Sequence, residues 1–134
     1  MLVGPLDHFT LQCRPADLPE LRAFYADVLG LVDGPRPAFP FPGHWLYSGD
    51  RPVVHLAGKL ASRPAAGHAG GFDHVSFQGH DLAALRQRLD AHGIRFAEVP
   101  VPGFPLWQVF LQDPQGLRLE VTFRLPPAHV PEAP

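Results

Sequence analysis

LDHFTLQ (Leu6–Gln12) returns as FDHVSFQ (Phe72–Gln78). Both stretches read apolar, Asp, His, apolar, hydroxyl, apolar, Gln, and their histidines lie 74 − 8 = 66 positions apart. The residues after each copy repeat as well. Asp17-Leu18-Pro19-Glu20-Leu21-Arg22 is answered by Asp81-Leu82-Ala83-Ala84-Leu85-Arg86 at 81 − 17 = 64, and Gly30 by Gly93 at 93 − 30 = 63. A near-constant offset across such different features marks a duplicated unit with small insertions between the copies.

The local chemistry assigns elements to the repeat. Asp17 and Asp81 suit helix N-caps, since a short carboxylate accepts from free first-turn amides. Pro19 belongs in a first turn, where its missing N–H costs little. Leu21, Phe24, Tyr25 and Val28, and again Leu82, Leu85 and Leu89, make helical apolar stripes. Gly30 and Gly93 read as helix stops. Alternating runs at Trp45–Ser48, Val53–Ala57, Arg95–Val99, Gln108–Gln112 and Leu117–Phe123 read as strands, the last two joined by an Asp113-Pro114-Gln115-Gly116 turn. Pro35–Gly43 reads as a loop or edge segment. The predicted organisation is one domain: module one about 5–60, a Gly/Ala-rich linker 61–71, module two about 72–124, and a Pro-rich, frayed tail 125–134. Each half is strand–helix–strand–strand–strand, an α+β architecture with an antiparallel-rich sheet and its helix on one face.

Composition narrows the function. Apolar residues are 46% and charged residues 18% of 134 positions, which sustains a globular core. The net charge of −2 and the lack of a basic stripe argue against nucleic acid or an anionic membrane as partner. The apolar runs are too short to span a bilayer, the N-terminus lacks a basic-plus-apolar leader, and Cys13 is alone, so a reducing, cytoplasmic setting is expected.

Strand periodicity groups the ionisable residues. His8, Thr10 and Gln12 share one face; so do His74, Ser76 and Gln78, and Arg118, Glu120 and Thr122. His55 and Glu120 are 120 − 55 = 65 apart, matching the offset of His8 and His74. Each half therefore contributes one residue from its first strand and one from its last. If the halves pair about a local two-fold axis, His8, His55, His74 and Glu120 meet in one trough. Imidazole and carboxylate donors without thiolate suit Fe, Ni, Zn or Mn. His44, His68, His80, His92 and His129 fall in predicted loops, caps or the tail and read as surface residues. Cys13 reads as a small buried apolar group.

These residues resemble the vicinal oxygen chelate superfamily of glyoxalases, extradiol dioxygenases, methylmalonyl-CoA epimerases, and fosfomycin and bleomycin resistance proteins. LDHFTLQ, DLPELRAFYADVLGL, PVVHLAG, FDHVSF and FLQDPQGLRLEVTF carry the resemblance, over about residues 5–124. It implies tandem βαβββ modules forming a cupped, mostly antiparallel sheet with helices on the outer face. It implies one divalent metal ion held by His8, His55, His74 and Glu120, and a homodimer. It implies two activities with nearly equal weight. One is a glyoxalase-type lyase or isomerase, with Glu120 as base; Gln12, where glutathione-dependent members carry an arginine, and His55, in place of a carboxylate, weigh against glutathione. The other is an extradiol-type dioxygenase, with iron on His8, His74 and Glu120 and with His55 as a fourth ligand or acid/base. Phe39, Phe41, Trp45, Tyr47, Phe104, Trp107 and Phe110 give the mouth an aromatic character, so the pocket for a small molecule is expected from Gln12, Trp45, Tyr47, Trp107 and Phe110. The remaining reading is a non-catalytic, antibiotic-binding dimer.

Overall fold

A computed structural model describes Leu2, residues 5–65, Phe72 and residues 74–126. The expected surface positions of His68 and His129, and nearly all of the expected frayed tail, lie outside those residues. The chain divides into two compact units, Met1–Pro64 and Ala65–Pro134, with the boundary inside the expected linker.

The first unit runs β1 (Phe9–Cys13), α1 (Leu18–Ala23), β2 (Val32–Gly34), β3 (Gly43–Ser48) and β4 (Arg51–Gly58). A 3₁₀ turn, Pro15–Asp17, precedes α1, and a π-helical turn, Phe24–Val28, extends it. The sheet order is β1-β4-β3-β2, with β1 parallel to β4 and the other pairs antiparallel. The second unit repeats the plan with β5 (Val75–Gln78), α2 (Leu82–Ala91), β6 (Phe96–Pro100), β7 (Leu106–Gln112) and β8 (Arg118–Arg124). Its order is β5-β8-β7-β6, again with only the first pair parallel. The fold is α+β, two tandem βαβββ modules, each built on a mixed four-stranded sheet.

Alternation explains which sheet face is dry. Cys13, Leu46, Val54 and Leu56 are buried in the first unit, as are Leu18, Leu21, Tyr25 and Val28 of the helical segment. In the second unit Val109, Leu111, Leu119, Val121 and Phe123 are buried together with Leu85 and Leu89 of α2. Each fully buried Leu contributes about 1.5–3 kcal/mol. The intervening strand residues, with the candidate ligands among them, fall on the opposite face. Both helical segments end on a glycine in the left-handed region, Gly30 at φ 82 and Gly93 at φ 64, where a side chain would be strained.

The first unit departs from the sequence expectation in three places. The edge strand expected in each half is β2, and it lies at Val32–Gly34, just before the Pro35–Gly43 segment: three residues are too few for a periodicity, and they are extended because Val32, Asp33 and Gly34 pair with Tyr47, Leu46 and Trp45. Asp17 sits at the N-cap position but makes no side-chain cap bond. Its carboxylate is taken instead by Arg14, at 2.7 Å from Nε and 2.9 Å from Nη2, whereas Asp81 does cap α2 by accepting from Ala84 N at 3.0 Å. His44 is not a loop residue. It lies in β3, half-buried, with Nδ1 3.0 Å from Asp33 Oδ2, and Arg22 of α1 donates to that same oxygen at 2.8 Å. His80 and His92 are exposed.

The Arg14 guanidinium holds the Asp17 carboxyl below the usual carboxylate range. A depressed folded-state pKa contributes stability that is complete above the unfolded value, about 4, and is lost as pH falls toward the folded value. Asp17→Asn is therefore expected to flatten the acid limb of the stability curve below about pH 4. Urea midpoints measured between neutral and acidic pH check this, and an unchanged acid slope would contradict it.

Candidate metal-ligating pairs

Register brings the repeat together at equivalent points in the two sheets. Thr10 pairs with His55 across β1 and β4, and Ser76 pairs with Glu120 across β5 and β8. In each unit the histidine that immediately precedes the first strand, His8 or His74, lies two residues before that paired hydroxyl and contacts the residue paired with it. Among the described residues no three His, Cys, Asp or Glu side chains gather as a metal cluster. The candidates come as one pair per unit.

In the first unit the His8 and His55 rings stack at 3.8 Å between centroids, 14° apart, and Trp45 stacks on His55 at 4.0 Å and 11°. His8 Nδ1 lies 2.7 Å from Asp7 Oδ2, and that hydrogen bond is the main cause that lowers the Asp7 pKa. With the carboxylate accepting, Nδ1 carries the proton and Nε2 keeps a lone pair, the orientation an outer carboxylate imposes on a metal-binding imidazole. His55 Nε2 donates to Pro52 O at 3.0 Å, so its lone pair is on Nδ1. Burial, and then the proximity of His8, lower the His55 pKa and favour the neutral ring.

In the second unit Glu120 is 6% exposed, unusual for a carboxylate. Three donors meet its Oε1: Ser76 Oγ at 2.9 Å, Gln108 Nε2 at 3.0 Å and Thr122 Oγ1 at 2.6 Å. Its Oε2 lies 3.0 Å from His74 Nε2. The turn that aims β8 is built by Asp113, which is buried and accepts from the amides of Gln115 at 2.8 Å and Leu117 at 2.9 Å.

The chemistry of the donors suits a divalent cation. The His74–Glu120 contact of 3.0 Å is an ion pair as it stands, and two ligands about 2.1 Å from one cation, at right angles, would lie about as far apart. The His8 and His55 rings are nearly parallel, so a cation taking both requires one ring to turn out of the stack.

Other expected pocket residues divide by face. Gln12 lies one pair along from His55 on that face, since it pairs with Ala57. Tyr47 shares the side of Trp45, and its hydroxyl donates to Pro35 O at 2.6 Å. Phe110 pairs directly with Glu120, and its ring meets His74 edge-on at 6.1 Å. Phe110 and Arg118 also line an open groove of about 580 Å³ with Phe96 and Gln112. Trp107 is a correction. It is one residue out of phase with Gln108 and Phe110, and its Nε1 donates at 3.0 Å to Glu98, which is paired with Arg86 of α2, so it faces the helix side. Sequence reasoning passes over Asp7, although an Asp precedes the His in both repeats, and over Gln108 as a partner of Glu120.

A sequence model of the Glyoxalase/Bleomycin resistance protein/Dioxygenase superfamily matches residues 6–121. The chain belongs to that superfamily. Solved structures share the fold of this superfamily member across nearly the whole chain. A glyoxalase/dioxygenase from Nostoc punctiforme superposes with a TM-score of 0.74 at 18% identity, covering 94% of this chain and 98% of the other. The fosfomycin resistance protein FosX from Listeria monocytogenes gives 0.66 at 16% identity, with 91% and 94% covered. A glyoxylase/bleomycin resistance protein/dioxygenase domain from Frankia sp. EAN1pec gives 0.67 at 22%, with 96% and 97% covered. At such identities the likeness is one of fold. A comparison with curated proteins finds no match. No helix among the described residues of this superfamily member is long and apolar enough to cross a membrane.

Proposed function

We propose that the chain is a metal-dependent enzyme acting on a small molecule with two neighbouring oxygens, its metal ligands drawn from His8, His74 and Glu120 with His55 in the fourth position. The observation that carries this reading is the treatment of Glu120. Three donors engage one carboxylate oxygen, and the other is left beside an imidazole nitrogen at the spacing of two ligands on one cation. A purely structural buried carboxylate needs partners, but nothing requires it to keep a histidine on its remaining oxygen. The equivalent position of His8 and His55 in the other unit, with Asp7 behind His8, extends the same logic.

A divalent cation held there would act as a Lewis acid toward the two substrate oxygens. The protein's own groups would do the rest. Asp7 keeps the Nε2 lone pair of His8 available. Ser76, Thr122 and Gln108 hold Glu120 in one rotamer, which favours a ligand role over that of a mobile base. His55, neutral and bonded through Nε2, keeps Nδ1 as a proton acceptor if it is not itself a ligand. Trp45 and Phe110 offer flat apolar surface beside the two pairs. We also propose a homodimer, as the superfamily resemblance implies, and a cytoplasmic setting, in keeping with the lone Cys13.

The test is elemental analysis of protein purified without oxygen or chelator, with the metal-to-chain ratio. Near-stoichiometric iron favours ring-cleaving dioxygenation, to be followed by catechol-driven O₂ uptake. Nickel, zinc, manganese or cobalt favours the lyase or isomerase, to be followed with 2-oxoaldehyde adducts. No metal, even after adding excess, sinks the proposal and leaves a binding protein.

A further inference from the structure

The segment between β2 and β3 folds its one arginine back onto the sheet. A Cβ built on Gly43 would fall 3.0 Å from Arg36 Nη2 and 3.2 Å from Nε, so the guanidinium packs close against β3 at Gly43. Arg36 packs against Phe39, and Phe39 neighbours Trp45, so the corner adjoins the Trp45–His55 stack. Nη2 donates to Phe41 O at 2.8 Å, and the guanidinium carbon lies 5.0 Å from the Phe39 ring centre and 5.1 Å from that of Phe41. Arg36 Nε is buried and has no hydrogen-bond partner among the described residues. Lys59 Nζ lies 4.8 Å from the Phe41 ring centre. Among the described residues neither cation is ion-paired with a carboxylate, although Arg14, Arg22, Arg63 and Arg86 all are.

The half-buried guanidinium has given up part of its hydration, and its Nε is left without an acceptor among the described residues. An oxyanion reaching Arg36 offsets that cost, and the Lys59 ammonium on the Phe41 ring adds positive charge nearby. The corner is also continuous with the candidate metal pair: Phe39 lies 6.4 Å from Trp45, Trp45 stacks on His55, and His55 on His8. A planar group resting on Trp45 and Phe39 would have one end at the histidines and the other at Arg36.

We propose that this corner receives an oxyanion, carboxylate or phosphonate, carried on a planar substrate body, with Arg36 as its anchor and Lys59 as a second, exposed cation. The inference rests on the Trp45–His55–His8 row being part of the substrate site. It adds to that reading an acidic group at the end of the substrate remote from the chelating oxygens.

The test uses chelator-treated, metal-free protein, so that no metal competes for the anion. Calorimetric titrations at one ionic strength compare benzoate, phenylphosphonate, inorganic phosphate and neutral benzamide. A charge-assisted hydrogen bond is worth about 1.5–3 kcal/mol, so at least one of the two aromatic acids should bind about tenfold or more tighter than benzamide. Arg36→Gln should remove that preference and Arg36→Lys should keep part of it, with thermal unfolding confirming that both fold. The acid that binds tighter identifies carboxylate or phosphonate as the preferred head. Equal acid preference in wild type and Arg36→Gln overturns the anchor. Inorganic phosphate binding as tightly as phenylphosphonate overturns the planar body. Because these titrations need no metal, an intact anion preference in a protein that never binds metal would sink the proposed function alone.

Discussion

Glu120→Ala is expected to take the metal-to-chain ratio from near one to near zero, a loss of affinity of about 100-fold or more, while leaving the fold intact. The residue is the only carboxylate among the proposed ligands, so its removal takes away both a donor and the negative charge that balances the cation. Changes one shell further out typically cost 10–100-fold, and a direct ligand should cost at least as much. Thr122→Val makes the internal comparison. It deletes the 2.6 Å donor to Oε1, leaves the carboxylate in place, and should weaken metal binding by about tenfold. Stability should fall modestly in Glu120→Ala. Ser76 and Thr122 both donate to Oε1 and lie 2.9 Å apart, so without the carboxylate one hydroxyl can turn to donate to the other, whereas the half-buried Gln108 loses its acceptor, at about 1 kcal/mol. Elemental analysis with circular dichroism reads both effects. Full metal occupancy in the alanine variant would remove Glu120 from the site.

Gly43→Ala should be the most damaging small substitution in the first unit. A Cβ there would lie 2.1 Å from the carbonyl oxygen of Leu56, a backbone atom that cannot rotate away, so β3 and β4 must part at the Gly43–Ala57 pair. The same methyl would crowd the Arg36 guanidinium, 3.0–3.2 Å away, which must give way slightly. A loss of about 3–5 kcal/mol is expected, the range in which backbone clashes and broken ladders fall. Gly49→Ala is the control. Its Cβ meets nothing, and only its left-handed φ of +62 resists substitution, at about 1–2 kcal/mol. Urea midpoints of the two variants separate crowding from conformational strain. Gly43→Ala melting like Gly49→Ala would rule out the close approach.

Much of this is legible locally. The duplicated Asp-His strands, the Asp81 cap, the glycine stops and the Asp113–Gly116 turn are short-range signals, because each depends on residues a few positions apart that act on one another in any fold. Alternation in β8 separates Leu119 and Val121 from Glu120 without knowledge of any partner strand, since a strand exposes its two faces in strict turn. Other features have no local signal. The strand β2 exists because β3 offers it hydrogen bonds. Asp17 is free to cap a helix until Arg14 closes on it, and His44 could be a surface residue until strand pairing brings Asp33 beside it. Trp107 groups with the mouth by aromatic character alone, though its phase against Phe110 already argues otherwise; Glu98 and Arg86, nine and twenty-one positions upstream, hold it on the helix side. The sequence by itself determined the repeat, the type of element at most positions and which ionisable residues occupy equivalent places. Only the tertiary structure decided which partners those residues take, because Glu120 meets Ser76, 44 positions away, and Gln108, 12 away, through strand register that no short stretch of sequence encodes.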